Sequence, residues 1–338
     1  MKRILFYSSV NSLELFKTQK FYQIDISILK DLGYDVLLSN RIFDSLLFWK
    51  YDILFSYFYR YSFFAALLAK CFGKKTYFTG GIDSLDSDYA SAFNYKIQAL
   101  FFKLCYWVAD SCIIVSQSDL KNIFKVSSLK KKLSYSEHVI NTKLFIADVP
   151  KEKIFTSIVW MGDEGNVVRK GVDKALQIFA ELKKIPEFVD YRFVIIGRKG
   201  EGEVLVRSII DKYNLKGSVE LKGEVSEADK INLLKQSKYY FQLSLYEGFG
   251  LAALEALCAN NIIIHSGKGG LANPIYKEQL LFDIDNDFDS ELLKLVNKLA
   301  CFTPITSYDN LLEYYDIQRR KDDFEAIIVN GKSNYKLK

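Results

Sequence analysis

Short runs of Ile, Val, Phe and Tyr recur along the chain, each followed by a helical-length segment. This spacing predicts strands at Ile4–Tyr7, Val36–Leu38, Ile53–Phe55, Thr76–Phe78 and Ile113–Val115, with helices between them. Apolar runs without polar alternation mark strands covered on both faces, so this half is a parallel, doubly wound α/β layer. The pattern breaks over a polar stretch from Ile146 to Lys153, which carries Pro150, and then restarts. Strands are predicted at Ile158–Met161, Phe193–Ile196, Val219–Lys222, Tyr239–Leu243 and Ile262–Ile264. A helix is predicted over Val172–Lys184, where Val172, Ala175, Leu176, Phe179 and Leu182 form one stripe that packs on a core. The resulting division is a first domain over 1–150, a second over 151–306, and a helical tail over 307–338 that can cross back to the first. Two such α/β halves facing one another leave a cleft at the carboxyl ends of their strands, where open sheets bind ligands.

Composition narrows the class. A chain of 338 residues exceeds what one hydrophobic core usually organises, and 49% apolar residues support two cores. A net charge of +5, well mixed, argues against a dedicated nucleic-acid binder but allows weak attraction to anionic headgroups. Five cysteines without close pairing, and no leader before the first strand, suggest a reducing cytoplasm. No apolar run approaches the roughly 20 residues of a membrane span. With His138 and His265 the only histidines, a His-based metal site is not expected.

The candidate chemistry sits in Ser244-Leu-Tyr-Glu-Gly-Phe-Gly-Leu-Ala-Ala-Leu-Glu-Ala-Leu257. Gly248 and Gly250 let backbone approach a ligand around Phe249, and the free amides from Leu251 onward form an anion site at a helix start. A diphosphate fits there. Glu247 and Glu255 flank the turn. Glu255 lies among Leu251, Leu254, Ala256, Leu257 and Cys258, so its carboxylate needs donors, and ribose hydroxyls are such donors.

With both halves placed, the second resembles the donor domain of GT-B glycosyltransferases, and most closely the retaining family 4 enzymes, over about Ser157 to Pro274. The resemblance implies two Rossmann-like domains, and a sugar moved with retention from a UDP- or GDP-sugar to a glycan or lipid-linked acceptor. It also implies that no cofactor or metal is needed beyond the nucleotide-sugar donor. In that family the first glutamate of the motif contacts the donor sugar and the second the ribose, which gives those roles to Glu247 and Glu255. Arg169-Lys170-Gly171 is similar to the family's Lys-Gly element, whose lysine neutralises the diphosphate; Lys170 is the match and Arg169 its neighbour. Gly197-Arg198-Lys199-Gly200-Glu201-Gly202 matches a position beside the nucleotide, and Gly223-Glu224-Val225 the place where backbone reads the base; either can also be a plain turn.

Three departures stand out. Ser8-Ser9-Val10-Asn11-Ser12 replaces the glycine pair common after strand one. Met161-Gly162-Asp163-Glu164 lacks the arginine common before the lysine, leaving Arg169 or Arg198 to substitute. Thr79-Gly80-Gly81-Ile82-Asp83 lacks a histidine, so on the acceptor side the Gly80-Gly81 backbone or Asp83 takes its place, or the acceptor is held differently.

Asp86-Ser87-Asp88 and Asp285-Asn286-Asp287 have the spacing of cation-chelating glycosyltransferases, but short acidic turns are common, and Asp86-Ser87-Asp88 reads more naturally as a polar loop capping the next helix. A dehydrogenase is excluded because no Gly-x-Gly-x-x-Gly follows strand one. The aromatic and basic stretch Phe43 to Lys75 is either a membrane-facing surface, at the inner face of the cell membrane, or core and cleft wall. The functional expectation is therefore a glycosyltransferase of surface polysaccharide or lipopolysaccharide synthesis. The alternative is a catalytically weak accessory protein that binds nucleotide or glycan without turnover.

Overall fold

The computed structural model describes residues 1–128, 130–146, 149–302 and 309–331. The chain divides into two units: Met1–Ile140 together with the segment from Glu313, and Asn141–Leu312. The change of unit thus lies at Ile140–Asn141, somewhat ahead of Pro150. Of the tail read as 307–338, positions 307, 308 and 332–338 lie outside the described residues.

The first unit runs β1 (Arg3–Ser8), α1 (Leu15–Thr18), α2 (Lys20–Asp31), β2 (Asp35–Ser39), β3 (Ile53–Tyr57), α3 (Ser62–Cys71), β4 (Lys75–Thr79), α4 (Ala92–Val108), β5 (Ser111–Ile114), α5 (Gln117–Val126) and β6 (Leu133–Tyr135). Its six strands pair in parallel in the order β2-β1-β3-β4-β5-β6. All five residues of β3 are buried, as a central strand covered on both faces requires. Of the aromatic stretch from Phe43 to Lys75, Tyr57, Tyr59 and Phe63 are core, whereas Phe43, Trp49, Tyr61 and Phe64 are exposed.

The second unit runs β7 (Glu152–Ile158), α6 (Glu164–Arg169), α7 (Val172–Leu182), β8 (Arg192–Ile196), α8 (Glu203–Lys212), β9 (Val219–Gly223), α9 (Glu227–Gln236), β10 (Ser237–Gln242), α10 (Leu251–Cys258), β11 (Ile262–His265), β12 (Leu280–Leu281) and α11 (Phe288–Cys301). The parallel order is β12-β11-β10-β7-β8-β9. Two differences from the sequence reading have physical causes. The first strand begins at Glu152 rather than Ile158, because its opening residues are exposed and paired: Lys153 with Asp190 and Glu152 with Arg192. Its next polar positions are buried but hydrogen-bonded sideways, Thr156 to Ser237 and Ser157 to the Phe241 carbonyl, so the strand lacks an apolar signature. The edge strands β6 and β12 are three and two residues long, too short for any periodicity.

After α12 (Asp309–Tyr314) and α13 (Ile317–Phe324), a π-helical turn follows at Glu325–Val329. This segment belongs to the first unit's core, where Phe324, Ile327 and Ile328 are buried with Ile4 and Phe55. Arg320 of α13 is fully buried. It donates to both oxygens of Asp25 on α2 at 2.7 and 2.8 Å and to the carbonyls of Ser136 and Glu137, while Tyr57 donates to the same carboxylate. Among the described residues, no helix is long and apolar enough to cross a membrane.

Candidate active site

The site in the second unit is assembled by close backbone approach. Gly171, at the junction of α6 and α7, has φ +67°, and a Cβ there would lie 2.0 Å from the Leu243 carbonyl oxygen at the end of β10. Only glycine fits. The Leu245 amide donates to the Arg169 carbonyl at 2.8 Å, tying the same junction to the loop after β10. Lys170 is thereby brought to Glu247, and its ammonium donates to both carboxylate oxygens at 3.0 and 2.7 Å. Glu247 Oε2 also accepts from Gln242 Nε2 at 3.2 Å and Ser244 Oγ at 3.0 Å. From below, Gly269 (φ +58°) lies so close that a Cβ would sit 2.3 Å from the Glu247 carbonyl oxygen, to which the Gly270 amide donates.

Gly250 takes the left-handed conformation as N-cap of α10, and among the described residues no side chain caps the first amides from that position. The Gly250 carbonyl accepts from Tyr276. The predicted anion site at Leu251 is a helix start with Glu247 beside its N-cap, where a Cβ on Gly250 would lie 3.4 Å from Glu247 Cγ.

Glu255, 4% exposed, does not await a ligand for its first donor. The Lys230 ammonium on α9 donates to its two oxygens at 2.8 and 2.7 Å and also reaches Glu227 at 3.2 Å. The helices carrying this pair are tied at their C-terminal ends. Lys151 Nζ donates to the carbonyls of Lys235 at 2.9 Å and Ala259 at 2.5 Å, and Asn261 Nδ2 to those of Leu234 and Ser237. Cations at helix C-termini are favoured by the dipole, although burial lowers the Lys151 pKa to about 8. Sequence reasoning misses Lys230 and Lys151. Neither has a fixed spacing from Glu255, and each is one lysine among many on polar stretches.

Over residues 165–299 the chain matches the model of a protein family described as glycosyl transferases group 1. This segment belongs to that family. The group 1 domain thus covers most of the second unit and both glutamates of the motif. Over 163 residues the chain is 31% identical to the GDP-mannose:cellobiosyl-diphosphopolyprenol alpha-mannosyltransferase of Xanthomonas oryzae pv. oryzae, covering 42% of this chain and 40% of that protein. It is 25% identical over 215 residues to a phosphatidylinositol N-acetylglucosaminyltransferase component from Arabidopsis thaliana, covering 62% and 46%. The chain therefore spans less than half the length of these relatives. Among solved structures, Anabaena HepE in complex with UDP-glucose superposes with a TM-score of 0.74 at 12% identity, over 98% of this chain and 100% of that one. That likeness establishes the fold, which is GT-B.

Other predicted residues of the group 1 domain are placed as follows. Arg169 is half-buried and directs Nε and one terminal nitrogen onto Asn166 Oδ1 at 3.2 and 2.7 Å. Arg198 is exposed in the loop after β8, which folds back on the preceding segment through the Glu201 and Gly202 amides to the Gly162 and Met161 carbonyls. The Gly197 amide donates to the Gly223 carbonyl at 2.8 Å, so the Arg198 and Val225 loops adjoin. His265 is buried with both ring nitrogens engaged, by the Tyr276 carbonyl and the Gly267 amide, and burial lowers its pKa to about 4. It is a neutral structural histidine. Asp285 pairs with Lys268, and Asp287 caps α11.

In the first unit, Gly80 (φ +103°), Gly81 and exposed Asp83 form the loop after β4. Asp119 lies beneath it, fully buried: Oδ1 accepts from the Ile82 amide at 3.2 Å, and Oδ2 has no partner among the described residues. Burial, reinforced by the Asp83 charge, pushes the Asp119 carboxyl up to about 8 against the opposing pull of the Ser116 and Ile82 hydrogen bonds. The folded state therefore keeps a proton that the unfolded chain releases near pH 4, and stability falls as pH rises from about 4 to about 8. Asp119→Asn keeps the acceptor for Ile82 and removes the charge. It should stabilise the chain by about 1–3 kcal/mol at pH 8 and flatten the fall in melting temperature between pH 5 and 8. A D119N variant melting below wild type at pH 8 would refute this.

Proposed function

We propose that the chain moves a sugar from a nucleoside diphosphate donor onto a glycan or lipid-linked acceptor, with retention of anomeric configuration and without a metal. The observation that carries this reading is the Lys170–Glu247 pair beside the start of α10, whose N-cap Gly250 has no side chain to cap the first amides. Breaking a glycosyl phosphate bond leaves negative charge on the departing diphosphate, so catalysis needs cations and N–H donors aimed at that group. An ammonium has three donors, and Glu247 takes two of them from Lys170. The third, with the first amides of α10, receives the diphosphate, while Gly248 and Phe249 carry the chain past the donor. Glu247 both orients the lysine and accepts from the donor sugar. Glu255 shares its oxygens between Lys230 and the ribose hydroxyls, and Arg198 and Val225 border the base. Arg169, committed to Asn166, steers the donor by charge. On the acceptor side the groups are Gly80, Gly81 and Asp83.

One relative named above is a cellobiosyl-diphosphopolyprenol alpha-mannosyltransferase and the other a phosphatidylinositol N-acetylglucosaminyltransferase subunit, which favours a lipid-linked acceptor of a surface polysaccharide or lipopolysaccharide, met at the cytoplasmic face of a membrane. Both UDP and GDP remain in the donor class, since the relatives and the superposed structure differ on this point. A melting screen with UDP, GDP, ADP and their common sugar conjugates tests the reading. At about 100 times Kd a nucleotide adds roughly 2.7 kcal/mol to the folded state, a rise of several degrees. A stabilised protein that also hydrolyses its donor slowly without acceptor is a transferase. One that is stabilised without turnover is the accessory protein, and no response to any nucleotide ends the donor-site reading. Lys230→Met should lower the melting temperature of the unliganded chain, because it leaves the Glu255 carboxylate buried without that cation; an unchanged melt would contradict this.

A further inference from the structure

Helix α4 leaves three large apolar side chains uncovered on its outward face, beside two exposed lysines. Phe93, Leu100 and Trp107 recur every seven residues along it and are 71%, 56% and 68% exposed. Lys96 and Lys103 follow three residues behind Phe93 and Leu100, which places both ammonium groups along one flank of the row. Along the other flank Phe101 meets α3, its ring centroid 6.5 Å from Tyr61 and 6.1 Å from Phe64, both exposed. A soluble surface seldom leaves a cluster of large apolar side chains such as Phe93, Leu100, Trp107, Tyr61 and Phe64 uncovered without a use for it.

Charge identifies what covers the strip. From residue 53 to 82 and from 92 to 109, the stretches that hold α3 and α4, there is not one Asp or Glu, while Arg60, Lys96 and Lys103 are present. A protein partner with a matching apolar face would not require the acids to be excluded; an anionic surface would. Trp107 lies at the C-terminal end of the row, where Lys132 caps its carbonyl at 2.8 Å and that of Tyr106 at 3.2 Å. Indole at one end, lysines along the side and aliphatic carbon between are the features of a helix that lies in a lipid interface.

We propose that the α4 face, continued by Phe64 of α3 and by Tyr61 just before that helix, docks the chain on a bilayer bearing anionic headgroups. This gives the lipid-linked acceptor of the preceding reading a surface of approach, yet its physical basis is separate from the donor site. It narrows the Phe43–Lys75 stretch, part of whose aromatics are core, to exposed Tyr61 and Phe64 and joins them to α4.

The full chain should be sedimented with vesicles of phosphatidylcholine alone and of phosphatidylcholine with phosphatidylglycerol. Binding is expected to the anionic vesicles, weakened by salt, with a blue shift of tryptophan emission. Each lysine near an anionic surface contributes about fivefold, so Lys96→Glu with Lys103→Glu should lower partition by at least about 25-fold. Leu100→Ser with Trp107→Ser should abolish it. Both double variants should keep wild-type melting and wild-type nucleotide stabilisation, which shows that folding and the donor site are untouched. Wild-type chain that ignores anionic vesicles, or variants that bind as wild type does, would overturn the proposal. So would a dimer in light scattering that the Leu100 and Trp107 changes dissociate, since the face would then belong to a second copy. Vesicle binding is read without donor. A chain that binds lipid but no nucleotide keeps this inference and loses the transferase reading, and the reverse result does the opposite.

Discussion

Lys170→Ala should lower donor turnover by about 10²–10³-fold while leaving the melting temperature within a few degrees of wild type. The loss follows from where charge appears. Ground-state sugar nucleotide already carries its diphosphate charge, but bond cleavage adds to it at the departing oxygen, and a preorganised ammonium is worth most at that moment. Lys170 is preorganised because Gly171 seats its backbone on Leu243 and Glu247 holds two of its protons. Glu247 keeps Gln242 and Ser244 as donors once the ammonium is gone, which limits the cost in stability. Glu247→Gln should reproduce much of the defect, since Gln242, Ser244 and Lys170 all converge on that carboxylate. Steady-state kinetics with donor alone measure this. Turnover by the K170A variant at the wild-type rate would remove Lys170 from the reaction.

Arg320→Met should destabilise the first unit by about 3–5 kcal/mol, a fall of roughly 10 °C in melting temperature. The guanidinium is wholly enclosed and serves Asp25, Ser136 and Glu137 together, so its removal strands a buried carboxylate that Tyr57 alone cannot satisfy. Burial, joined by the same charge, holds His138 well below the usual histidine range. Because the cost lies in the abandoned partner, Asp25→Leu combined with Arg320→Met should recover part of the loss. Thermal melts of the single and double variants decide the matter, and an R320M variant as stable as wild type would contradict it.

The strands of both sheets are legible in the sequence wherever they are apolar, as at Ile53–Phe55 and Ile262–Ile264. β7 is not, because Glu152, Lys153, Thr156 and Ser157 find partners only in three dimensions. The glycine-bracketed motif points to Glu247 and Glu255 because turn chemistry and helix start are local. Their cations divide along the same line. Lys170 is readable from its neighbour Gly171, whereas Lys230 reaches Glu255 from a helix whose sequence carries no trace of the meeting. Likewise, the period-seven row on α4 looks like core until its exposure is known.

The return of α13 to the first unit has a consequence for biosynthesis. Asp25 leaves the ribosome 295 residues ahead of Arg320, and the contiguous segment Asn141–Leu312 is made in between. At roughly 5–20 residues per second, the nascent first sheet waits about 15–60 s for its last buried cation. The later-made unit can close first, and the earlier-made one is finished only by its final helix.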